Sequence, residues 1–101
     1  MASFFAELEL RVAEIDSLLV VGLDPHVAEL PEPTAAAAVA FCKRLIEATL
    51  PHAAAYKPNA AFFEYFGAEG HRALVDVRTC HAFIFAILTV VFFIVPLFVP
   101  R

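Results

Sequence analysis

The sequence predicts an α/β fold in the order helix, strand, helix, strand, helix, with a hydrophobic segment appended at the C-terminus. Three observations carry this reading. Two short apolar runs, Leu18-Leu19-Val20-Val21-Gly22-Leu23 and Ala53-Ala54-Ala55-Tyr56, each stop at one ionisable side chain and then a proline, Asp24-Pro25 and Lys57-Pro58. The stretch between them has helical periodicity. Beyond Thr79 charge disappears until Arg101. An apolar run of strand length bounded by a breaker reads as a strand buried on both faces, and two such strands joined by a helix read as a parallel βαβ unit.

Taken in order, Phe5, Leu8, Val12 and Ile15 recur at helical spacing among Glu7, Glu9, Arg11 and Glu14, with Ser3 placed to cap the helix. The first strand follows. Pro31-Glu32-Pro33-Thr34 reads as a loop, and Thr34 as the cap of a helix from Ala35 to Leu50. Ala38, Cys42, Leu45, Ile46 and Thr49 form its inner face and Lys43, Arg44 and Glu47 its wet face; Pro51 ends it. The second strand runs from His52 to Lys57, and Ala60 to Val77 reads as helical, broken near Gly67.

The length of 101 residues allows one domain, and a net charge of -4 with no run of lysine or arginine argues against nucleic-acid binding. Glu7, Glu9 and Glu14 stand where a secretory signal would need a basic start and an apolar core. Cys42 and Cys80 are too far apart for a zinc pattern, and His26, His52, His71 and His81 show no metal-ligand spacing. Cys42, inside a helical stretch, reads as a small buried hydrophobe. Asp24 and Lys57, charges at the C-terminal ends of buried strands, are the first functional candidates. His26, two residues past Asp24, is the one histidine positioned for the same cleft.

Ala82 to Pro100 is uncharged and contains fourteen Leu, Ile, Val or Phe residues, so it is long enough to span a bilayer. A buried strand with its loop, or translated sequence never selected as protein, are the other readings. The expected division is residues 1–78 and a tail, 79–101, foreign to the fold.

Val21-Gly22-Leu23-Asp24-Pro25, Phe41-Cys42-Lys43, Tyr56-Lys57-Pro58-Asn59-Ala60-Ala61-Phe62-Phe63-Glu64 and Gly67-Ala68-Glu69-Gly70 resemble the N-terminal portion of orotidine 5'-phosphate decarboxylase, in its bacterial-type branch. The resemblance runs from Phe5 to Val77. It implies a partial (β/α)8 TIM barrel from a cytoplasmic homodimer that converts orotidine 5'-phosphate to UMP and carbon dioxide, in pyrimidine biosynthesis, without a cofactor. Asp24 would bind the nucleoside, and Lys57 would contact the ribose and join a charged network beside the substrate. The family's Asp-x-Lys-x-x-Asp motif, whose lysine supplies the proton, is absent from this sequence. The expectation is therefore a truncated, inactive decarboxylase fragment. Two other readings stand beside it: a membrane protein anchored through Ala82 to Pro100 with a cytosolic barrel-derived module, and an assembly module that docks on a complete barrel. Two parallel strands also leave two unpaired edges, which argues against a folded, soluble monomer.

Overall fold

The computed structural model describes residues 3–80. Helix α1 spans Phe4–Ile15, strand β1 Leu19–Leu23, helix α2 Ala35–Thr49, strand β2 Ala53–Pro58, helix α3 Ala60–Glu64 and helix α4 Ala68–Arg78; a single 3-10 turn, Val27–Glu29, lies between β1 and α2. The predicted tail, Ala82 to Pro100, lies outside the described residues. Among the described residues no helix is long and apolar enough to cross a membrane.

Capping chemistry sets the helix starts. The Ser3 hydroxyl accepts from the Ala6 amide, and Thr34 Oγ1 accepts from that of Ala37 at 3.1 Å. Each satisfies one of the four amides that a helix leaves without an internal partner. Helix α1 ends at Asp16, whose left-handed backbone (φ 52°) is a conformation Asp tolerates better than most residues. The third helical stretch breaks where Gly67 takes φ 65°, which a side chain would resist.

The strands pair in parallel, with Val21 opposite Tyr56, Gly22 opposite Lys57 and Leu23 opposite Pro58; between Leu19 and Val20 the register slips past Ala54. Side chains alternate across a pleated sheet, so Val21, Leu23 and Tyr56 point one way and Gly22 and Lys57 the other. The first set meets the helices. Leu23, Cys42, Ile46, Ala53, Tyr56, Phe63, Ala73 and Val77 form one buried cluster. Tyr56 reaches from the sheet into α2, where its hydroxyl donates to the Ile46 carbonyl at 3.1 Å and meets Thr49 Oγ1 at 2.9 Å. A phenol so placed fills the core while its polar end stays satisfied.

Polar ties close the N-terminal end of the sheet. The Arg11 guanidinium donates to the carbonyls of Leu50 at 2.7 Å and Ala53 at 3.2 Å, anchoring α1 beneath β2. Ser17 Oγ donates to the His52 carbonyl at 2.6 Å and accepts from the Leu19 amide, aligning the starts of both strands.

One expectation needs correction. Strand β2 is buried from Ala53 to Tyr56, but β1 is not buried on both faces: Leu19 is 49% and Val20 45% exposed. The reason is geometric, because β1 has one hydrogen-bonded neighbour, which leaves its other edge and the start of the strand uncovered among the described residues.

Removing the Tyr56 hydroxyl leaves the Ile46 carbonyl without this partner in a dry place. We expect Tyr56→Phe to lower stability by about 1–3 kcal/mol, the range for a buried acceptor losing its donor. Urea unfolding should show a lower midpoint at constant slope; an unchanged midpoint would mean the bond contributes nothing.

Candidate functional site

The C-terminal ends of β1 and β2 form the side of the sheet opposite α1. Pro25 turns the chain immediately after Asp24, and the His26 amide donates to the Asp24 carbonyl at 2.8 Å across that turn. On the neighbouring strand Pro58 ends the ladder, and the Asn59 amide donates to the Leu23 carbonyl at 3.2 Å. Asn59 Oδ1 then accepts from the Ala61 amide to start α3. Both strand ends are thus held in register by backbone bonds that continue past the last paired residues.

Asp24 and Lys57 are both exposed and share one face. Gly22, two residues before Asp24 and paired with Lys57, shows it. A Cβ built on Gly22 would lie 3.3 Å from Asp24 Oδ2, so the carboxylate folds back over the space that Gly22 leaves empty. Gly22 is the register partner of Lys57. Adjacent strands run about 4.8 Å apart, which puts the stem of Lys57 one strand away from the Asp24 carboxylate. The two do not form an ion pair; among the described residues the salt bridges are Lys43 with Asp76 at 4.0 Å and Arg72 with Glu69. An anion and a cation set side by side with open space above them can engage a ligand's hydroxyl groups from both sides, the carboxylate as acceptor and the ammonium as donor.

His26 has a different place from the one its spacing suggests. Its Nδ1 accepts from the Ala28 amide at 3.2 Å as the cap of the 3-10 turn, and its ring lies 5.6 Å from that of Phe62 on α3. His26, Val27, Ala61, Phe62 and Tyr65 line a cavity of about 230 Å³ beside the strand ends. The 3-10 turn itself escapes sequence reading, being too short for any periodicity. The capping role of Asn59 was missed as well, although Asn directly before Ala-Ala-Phe-Phe-Glu is a helix-start signal. Among the described residues no group of three or more His, Cys, Asp or Glu side chains is arranged to hold a metal ion.

Cys42 lies beneath this edge, fully buried. Burial, reinforced by the nearby Asp24 carboxylate and by Cys80, pushes its thiol up from 9.0 to about 12. It is a neutral packing residue at physiological pH.

No protein-family model matches the chain. It is 52% identical over 77 residues to the orotidine 5'-phosphate decarboxylase of Halorubrum lacusprofundi, a match covering 73% of this chain and 27% of that protein. The orotidine 5'-phosphate decarboxylase of Leptospira interrogans is 47% identical over 78 residues, covering 74% of this chain and 28% of its own length. Among solved structures, the OMP decarboxylase of Leishmania donovani superposes with a TM-score of 0.68 at 58% identity, over 80% of this chain and 30% of that one. The chain thus spans just over a quarter of the length of the curated relatives it matches.

The burial of Cys42 has a direct readout. We expect the native chain to expose one fast-reacting thiol, Cys80, to a disulfide reagent at pH 8, and to expose both thiols on unfolding; two fast thiols in the native state would contradict the packing. Because the folded thiol ionises at higher pH than an unfolded one, its contribution to stability is complete below about pH 9 and is lost as pH rises toward 12.

Proposed function

We infer that residues 1–78 form the opening βαβ portion of an orotidine 5'-phosphate decarboxylase barrel, the enzymes whose sequence and fold this chain shares over about three quarters of its length. The observation that carries the reading is the placement of Asp24 and Lys57 on one face and one edge of adjacent parallel strands, with Gly22 making room for the carboxylate. Strand C-terminal ends are where barrel enzymes assemble their sites. In this reading the ligand is orotidine 5'-phosphate or UMP. Asp24 accepts from the nucleoside hydroxyls, and Lys57 donates to the ribose.

Decarboxylation leaves an electron pair on the pyrimidine ring carbon that loses carbon dioxide, and a proton must then be delivered there. A fixed ammonium group beside that carbon would stabilise the developing charge and supply the proton. Lys57 belongs to the ribose end of such a site. The residues that would stand at the ring, an Asp-x-Lys-x-x-Asp set, do not occur in this sequence. Without an interaction that strengthens in the transition state, binding alone does not accelerate the chemistry. The chain is therefore proposed to retain the nucleoside-facing half of the site and to lack turnover. Homodimerisation and a cytoplasmic location belong to the same proposal. The alternative role for residues 79–101, as a membrane anchor, rests on the uncharged length of Ala82 to Pro100.

Incubated with carboxyl-labelled orotidine 5'-phosphate, the purified chain should release no carbon dioxide above the uncatalysed rate. Release that scales with chain concentration and disappears in Lys57→Ala would overturn this.

A further inference from the structure

Asp24 is the last residue before the chain turns, so whatever fixes that turn fixes the carboxylate. His26 makes three of the turn's contacts through its backbone and imidazole. Its amide donates to the Asp24 carbonyl, its carbonyl accepts from the Glu29 amide at 2.9 Å, and its Nδ1 accepts from the Ala28 amide at 3.2 Å. Its ring also packs at a tilt of 51° against Phe62, on the helix that begins just after Lys57 and Pro58. His26 therefore touches both segments that leave the strand ends.

The bond to Ala28 requires a lone pair on Nδ1. Protonation turns that nitrogen into a donor, and two donors cannot share the position. We propose that His26 is a positioning residue which, through its unprotonated Nδ1, clasps the loop after β1 and so holds the Asp24 carboxylate over Gly22, and that protonation opens the clasp. The proposal rests on reading Asp24 and Lys57 as a ligand site, but the clasp itself is testable without any ligand. The titratable neighbours are Asp24 and Glu29 on the same loop, Tyr65 across the cavity on the α3 side and Lys57 on the adjacent strand.

The test is amide exchange and carboxyl chemical shift by NMR on the full chain, held in solution with a non-ionic detergent. After correction for intrinsic exchange, protection of the Ala28 amide should fall at least threefold from pH 8 to pH 5, and the Gly22 amide and Asp24 carboxyl resonances should move with the same midpoint as the His26 ring. His26→Asn, whose side-chain oxygen accepts at every pH, should keep the protection and abolish its pH dependence. His26→Ala should lack it throughout. Equal Ala28 protection at both pH values in the unmodified chain, or a pH dependence that survives in His26→Asn, would overturn the clasp. Failure of nucleotide binding with the clasp intact would instead count against the function proposed above.

Discussion

The parallel register that sets Gly22 against Lys57 is the constraint on which the rest of this structure depends. Parallel strands cannot be joined by a tight turn, so the chain between them must cross over, and α2 does so while supplying Cys42 and Ile46 to the core. The same register puts both strand C-termini at one edge. Had the strands paired one residue differently, Lys57 would fall on the face that Tyr56 now fills, and a solvated ammonium would have to enter the core.

The two ends of the sheet divide the work. At the N-terminal end, Arg11 and Ser17 satisfy carbonyls of β2 and its approach, fixing α1 and both strand starts with polar bonds that carry no open space. At the C-terminal end the backbone bonds from Asn59 to Leu23 and from His26 to Asp24 hold the chain while leaving side chains exposed. The exposed Leu18, Leu19 and Val20, 83%, 49% and 45% accessible, leave the approach to β1 and its first residues uncovered by the described helices.

The helices and their starts were legible because their signals are local. Ser3 and Thr34 read as caps and act as caps, and Ala38, Cys42 and Ile46 read as an inner face and are buried. Asp24 and Lys57 were legible as strand-end charges, since an apolar run that stops at one ionisable residue needs no knowledge of its neighbours. The parallel pairing of the two strands was legible from the βαβ order, whereas their residue-by-residue register was not. The exposure of β1 escaped because an apolar run records what a strand can bury, whereas its burial depends on how many neighbours cover it. His26 was placed near Asp24 by spacing, but a two-residue separation says nothing about whether a ring turns toward the cleft or caps the next turn, and here it caps. The role of Gly22 was equally hidden, because the absence of a side chain becomes informative only once the Asp24 carboxylate is seen to occupy that space.

Asp24 and Lys57 are proposed to face a nucleotide together. The most direct measurement is an amide chemical-shift map of the labelled full chain during titration with UMP. Saturable shifts should concentrate at Gly22, Asp24, Lys57 and Asn59 and be lost in Lys57→Ala with the remaining spectrum unchanged. Shifts confined to residues away from the strand ends, or shifts at the strand ends that persist undiminished in Lys57→Ala, would contradict it.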